Sequence, residues 1–211
     1  MSGLLLKDYY NLIRYCKAYV LMFFAFLAAS IFSDGNLFFT IYPVVMAGML
    51  PTTLLAYDEK EHWDQYCMTL PVSRKQVVAS KYVEGIIITG GMTVLSGICY
   101  ILRGVINGSN LLEGLAGFLS VLFVIGIAPC ILLHPINFLL GTTKGRIGYL
   151  ISIAVICGSA AAITAEEFKF VSDMMSFMNS EFSIILIPVI TLILYGISCL
   201  VSIRFYEGRD L

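Results

Sequence analysis

The sequence predicts a single all-α integral membrane domain over residues 1–211: six transmembrane helices, an amphipathic interfacial helix at the N-terminus, and a cytoplasmic helix between spans two and three. Three observations carry that expectation. Charged residues make up only 13% of the chain, against about 25% in a soluble domain, while 59% are hydrophobic and mean hydropathy is +0.89. The charges are also segregated: runs of 16, 23, 18, 30, 19 and 22 residues at 18–33, 35–57, 85–102, 114–143, 147–165 and 182–203 contain no Asp, Glu, Lys or Arg. Finally, VLMFFAFLAA at 20–29 and SIILIPVITLILYG at 183–196 are apolar on every face, whereas a membrane strand alternates apolar and polar positions over about ten residues. A helix needs roughly 20 apolar residues to cross about 30 Å of hydrocarbon. The runs are therefore read as spans at 18–32, 37–56, 84–102, 112–134, 147–164 and 183–203.

Residues 4–17, LLLKDYYNLIRYCK, place Leu5, Tyr9, Leu12, Ile13 and Cys16 on one helical face and Lys7, Asn11, Arg14 and Lys17 on another. That is the pattern of a helix lying in the membrane interface. The first span is short, and Lys17 extends it by carrying its ammonium to the headgroups on an apolar stem. Small residues near its end, Ala28, Ala29 and Ser30, have the look of a signal-peptide cleavage site, but the membrane sequence that follows favours a retained anchor. SDGN at 33–36 is a tight turn into span two. There Pro43 and Pro51 each remove an amide hydrogen and displace a carbonyl four residues earlier, so a kink, and a helix that lines a path, is expected.

The longest polar stretch, YDEKEHWDQYCMTLPVSRKQVVASKY at 57–82, is assigned to the inner face. Asp58 and Glu59 suit a helix N-terminus, where the macrodipole favours anions. Trp63, Tyr66, Cys67 and Leu70 then share one face of a short helix that ends at Pro71. Ser73 is the expected N-cap of a second short helix, 74–82, leading into span three, where Gly90, Gly91 and Gly97 allow close helix approach. Asn107, Gly108 and Ser109 in the outer loop 103–113 form a sugar-acceptor tripeptide. The 30-residue run after it is too long for one untilted span. A break is expected at Pro135, with HPINFLL continuing along the interface to an inner turn that starts at Gly141. Span five follows, and AEEFKFVSDMMSFMNSEF at 165–182 is an amphipathic outer helix or a re-entrant lip.

Cytoplasmic loops carry the excess of Lys and Arg. With the N-terminus inside, Lys7, Arg14, Lys17, Lys60, Arg74, Lys75, Lys81, Lys144, Arg146, Arg204 and Arg209 face the cytoplasm, and only Arg103 and Lys169 do not. Both termini are expected inside. The six Cys are scattered, none in an outer loop, so a disulfide set or a zinc site is not expected.

Absences narrow the function. No GxxxxGK[ST] occurs, and GTTKGR at 141–146 has no preceding strand, so it does not cradle phosphate. His62 and His134 have no partner for a metal, Glu166 and Glu167 lack the companions of an intramembrane protease, and a net charge of −1 excludes a nucleic-acid face. No ionisable residue is expected at the bilayer centre, which disfavours an ion-coupled carrier.

DEKEHW at 58–63, TLPVSRKQVVASKY at 69–82 and HPINFLLGTTKGR at 134–146 resemble the membrane subunits of bacterial ABC exporters of the ABC-2 permease type. The resemblance extends over nearly the whole chain. It implies a multi-pass permease of the bacterial cell membrane that is not itself an enzyme. Such a subunit pairs with a second copy or a related permease, in contact with membrane lipid, and with separate ATPase subunits that bind the ATP and Mg. The cargo expected is amphipathic or hydrophobic, peptide or lipid-like. The resemblance also makes 57–70 a coupling helix docked on the ATPase. Trp63 and Tyr66 are its anchors, Asp58, Glu59 and Lys60 its charged rim, and Tyr57, His62, Leu70, Pro71 and Arg74 complete it. Pro43, Pro51, Pro135 and Gly141 are the candidate path or hinge positions. The alternative is a non-transporting membrane scaffold or immunity protein.

The topology makes a direct prediction. A cysteine placed at Lys60 should react with a membrane-impermeant maleimide only after the cytoplasmic side is exposed. Labelling of that position in intact cells would reverse the orientation.

Overall fold

In hydrocarbon every backbone N–H and C=O must find its partner within the protein, and the apolar runs meet that demand as helices. A computed structural model describes residues 2–32, 38–67, 69–107, 114–142 and 181–208. Among these lie seven helices and no strand: α1 (Ser2–Tyr15), α2 (Lys17–Phe32), α3 (Phe38–Lys60), α4 (Trp63–Cys67), α5 (Arg74–Ile106), α6 (Leu115–Leu140) and α7 (Glu181–Glu207). Four of them, α3, α5, α6 and α7, are long and apolar enough to cross a membrane. The pair α1 and α2, bent by 75° at Cys16, brings the number to five if it is one span. The expected span at 147–164, and the outer segment 165–182 up to the start of α7, lie outside the described residues.

The interior mixes apolar and polar side chains, and the outer surface is largely apolar. Thr40, Thr89, Thr93 and Ser96 are buried, while Ile87, Val94 and Leu200 are 60–65% exposed. In water that arrangement would be an aggregation hazard; facing lipid it costs nothing. Several buried hydroxyls are satisfied within their own helix, Thr93 donating to the Thr89 carbonyl at 2.8 Å and Ser30 to the Leu27 carbonyl at 2.7 Å.

Helix α6 is the hub, packed most extensively on α7 and then on α3. Its contact with α3 is backbone to backbone: a Cβ on Gly48 would fall 1.8 Å from the Gly126 carbonyl oxygen, and one on Gly126 would fall 2.6 Å from both Thr89 and Val44. Without a hydrophobic drive between helices, such approaches supply the packing that holds membrane bundles together. The glycines expected to do this are in part different. Gly97 does meet Leu119, but nothing described lies within 4 Å of a Cβ on Gly90 or Gly91, because these two sit on faces of α5 turned away from α3 and α6.

Four other expectations are corrected. Helix α3 does not end at 56 but runs through Lys60, since the Glu61 N–H still reaches the Tyr57 carbonyl; Asp58 and Glu59 thus occupy a C-terminal turn, where the macrodipole disfavours anions and ion pairing must offset it. The helix bearing Trp63 spans only five residues, because the chain reverses at His62, with φ of 56°, and closes tight turns at Thr69 and Leu70. The stretch 74–82 is not a separate short helix but the first turns of the 33-residue α5, begun by Ser73 with Gln76 in a reciprocal capping box.

Finally, Pro135 does not break the fourth span: α6 is continuous, with Pro129 and Pro135 inside it, and His134, Asn137 and Phe138 are core rather than interfacial. A neighbouring helix makes this tolerable. The Ile131 carbonyl, deprived of its partner by Pro135, accepts from Ser198 Oγ on α7 at 2.9 Å. Tyr82 Oη lies 2.8 Å from Ser198 Oγ and 2.7 Å from Ser202 Oγ. Since Ser198 has spent its one proton on Ile131, Tyr82 donates to Ser198 and Ser202 donates to Tyr82. A three-hydroxyl relay from α5 and α7 therefore terminates on the carbonyl that the proline freed. Pro43 and Pro51 are likewise buried within an uninterrupted α3. Helix α6 stops at Gly141, whose φ of 77° and ψ of 160° are open to glycine alone.

Gly126→Leu should destabilise the purified protein by about 1–3 kcal/mol through overpacking, whereas Gly90→Ala should be neutral or stabilising by up to about 1 kcal/mol. Unfolding midpoints in detergent check both, and an equal response would refute the assignment of the crossing.

Candidate functional site

One end of the bundle gathers α1, α4, the start of α5 and the ends of α3, α6 and α7. Five charged side chains meet there. Lys81 of α5 is almost fully buried, and its Nζ lies 2.8 Å from Asp8 Oδ1 of α1, 2.7 Å from Asp58 Oδ2 of α3 and 4.0 Å from Glu84 Oε2 one turn on. Lys7 completes the group, its Nζ donating to both Asp58 oxygens at 2.7 and 2.8 Å and lying 3.0 Å from Asp8. Asp58 thereby receives two cations, which is what allows an anion in the last turn of α3.

An interior ion pair gains little net stability, because two charges leave water, but removing one partner leaves an uncompensated buried charge. The network therefore acts as a lock: α1, α3 and α5 cannot separate without exposing or stranding charge. Beside it, Glu84 Oε2 and both ring nitrogens of His134 have no hydrogen-bond partner among the described residues. His134 is wholly buried and stands edge-on to Tyr82 at 4.9 Å.

Helix α4 rests on this lock. Lys7 Nζ sits 4.2 Å over the Trp63 ring, a cation–π contact between α1 and α4. Trp63 is half-buried and tilted against Tyr66 at 5.4 Å, Cys67 is buried, and Asp64 accepts from Tyr206 Oη at 3.2 Å. Burial pushes the Cys67 thiol above its ordinary pKa, so it is an inert packing residue. Tyr66, by contrast, is 57% exposed.

A family model described as ABC-2 family transporter protein matches residues 3–207. The chain belongs to this family. No match was found among curated proteins or solved structures. As an ABC-2 permease the chain is a membrane transport component.

The structure divides the residues expected to form the coupling site into two groups. Tyr57 is half-buried, stacked on Tyr15 with ring centroids 4.9 Å apart, and Asp58 lies inside the lock, not on a rim. Glu59 accepts from the backbone N–H and the hydroxyl of Thr142, which ties the end of α3 to the end of α6. Arg74 donates to the Tyr206 and Glu207 carbonyls at 3.3 and 2.9 Å, closing the C-terminus of α7. These four, with Leu70 half-buried, face into the protein. Lys60, His62, Tyr66 and Pro71 face outward. Pro43 and Pro51 lie in α3 and Pro135 in α6, while Gly141 caps the end of α6 next to Thr142, which bonds Glu59.

The sequence reading missed Lys7, Asp8, Lys81, Glu84 and His134. A signal was present for one pair: Lys81 and Glu84 stand one turn apart at the threshold of a long apolar run, where unpaired charge would be costly. Asp8 offered another, as an acid on the same face as Leu4, Leu12 and Cys16.

Lys81→Met should cost about 3–5 kcal/mol, the usual penalty for stranding buried charge. Lys7→Met should cost less, since the Lys7 side chain is 19% exposed and that of Lys81 only 3%. Unfolding in detergent measures the order, and a reversed ranking would show that Lys7 holds the lock.

Proposed function

We propose that this permease is half of an ATP-driven exporter of the bacterial cell membrane, with six spans, both termini cytoplasmic, and separate ATPase subunits that bind the ATP and Mg. A second copy or a related permease completes the path. The observation that carries this reading is the outward turn Lys60, His62, Tyr66 and Pro71 seated directly on a buried lock that joins three helices.

A coupling element has two requirements. It must offer a partner something to grip, and it must not yield when pushed. Tyr66 meets the first, as an exposed aromatic of the kind that anchors interfaces. Trp63 meets the second from beneath, clamped by Lys7. Closure of the ATPase dimer against Tyr66 would move α4, Trp63 would carry the displacement to Lys7 and Asp58, and α1, α3 and α5 would tilt as one body. The path then opens between two permease copies. The low charge and the aromatic and Met content of the chain suit amphipathic or hydrophobic cargo, peptide or lipid-like.

The division of labour between the two aromatics is testable. Tyr66→Ala should leave the unfolding midpoint within about 0.5 kcal/mol but weaken capture of the ATPase by roughly 30-fold, the equivalent of a 2 kcal/mol hot spot. Trp63→Ala should lower both stability and capture. Unchanged ATPase co-purification and transport with both substitutions together would sink the coupling role.

A further inference from the structure

A groove of about 430 Å³ lies between the start of α5 and the last turns of α7, at the same end of the bundle as the lock but on its outer wall. Its floor is apolar, from Ile197, Leu200, Val201 and Ile203, and its polar rim is Lys75, Arg204 and Glu207. Leu200 is 65% exposed, so the floor opens sideways toward lipid and not into the bundle.

We infer that this groove is a binding site for an anionic phospholipid, its phosphate held by Lys75 and Arg204 and one acyl chain lying along Ile197, Leu200 and Val201. Basic pockets between transmembrane helices are suited to acidic headgroups, and the order along this groove, cations at the membrane edge and apolar side chains deeper, matches the order of groups in a phospholipid. The balance of charge favours an anion. Glu207 Oε1 stands 3.8 Å from Lys75 Nζ, beyond hydrogen-bonding distance, and both side chains are well exposed, at 44% and 67%, so the ammonium keeps its donors. Two cations against one carboxylate leave a net positive rim. Lys75 also sits in the first turn of the 33-residue α5, where the macrodipole adds to the positive potential. A bound lipid would bridge α5 to α7 on the outside, as the Tyr82, Ser198 and Ser202 relay bridges them within. The inference rests on the membrane reading of the chain and not on coupling by α4.

The test uses the full chain in detergent, titrated with phosphatidylglycerol, with phosphatidylcholine of the same acyl chains, and with inorganic phosphate alone, and scored by lipid retained in native mass spectrometry and by the shift in unfolding temperature. Phosphatidylglycerol should be retained well above phosphatidylcholine. Lys75→Ala with Arg204→Ala should weaken it about 30-fold, each basic side chain being worth roughly a factor of five. Leu200→Trp, which fills the floor and keeps both cations, should weaken it as well. Equal retention of the two lipids, an undiminished response in the Lys75 and Arg204 variant, or the same shift with inorganic phosphate alone would each overturn the proposal. Should the double alanine variant fold poorly, Lys75→Arg with Arg204→Lys keeps the charge and must retain the lipid, while Leu200→Trp must not.

Discussion

The Lys81 ammonium is the pivot of this molecule. Like Lys7 it reaches both Asp8 and Asp58, but it does so from α5, and so it binds an N-terminal helix, a proline-bearing span and the longest helix among the described residues into one body. The arrangement is not needed for stability as such, because an apolar core of similar shape would serve as well. What a charge lock supplies is all-or-none behaviour. The three helices either stay together with both lysines paired to Asp8 and Asp58 or come apart at a cost of several kcal/mol, so partial separation is penalised.

The same logic of matching runs through the membrane-embedded part. Pro135 does not interrupt α6, because Ser198 of α7, itself held by Tyr82 of α5, donates to the carbonyl that the proline leaves unpaired. Glycines bring the α3 and α6 backbones into contact where a methyl group would not fit. Each device is local, but each needs a partner from a distant part of the chain. The relay in particular sits directly beside the lock, through Tyr82, which adjoins Lys81 in sequence. Docking of α5 on α7 and docking of α5 on α1 and α3 thus fall on consecutive residues of one helix.

Much of this was legible in advance. Charge-free runs located α3, α5, α6 and α7 because the hydrocarbon thickness sets a length that few other constraints produce. Ser73 announced the start of α5 because an N-cap acts within its own turn. The position of Pro135 was equally plain, but its effect was not, since a helix breaks at proline only where no neighbour takes up the freed carbonyl. Gly90 and Gly91 looked like a crossing but meet nothing among the described residues, while Gly48 and Gly126 meet each other; sequence gives the glycine but not the direction it faces. Asp58 read as a surface acid at a helix start for the same reason, its two cations lying 51 positions upstream and 23 downstream.

What the sequence by itself determined, then, is the family of the chain and, among the described residues, which stretches are helical and which are long and apolar enough to lie in lipid. Those properties follow from local composition and length. Which charges are buried, which aromatic is clamped and which is offered, and which proline is repaired were decided only by tertiary packing. Each depends on a pairing between helices far apart in the chain, and no local rule of propensity or periodicity encodes such a pairing.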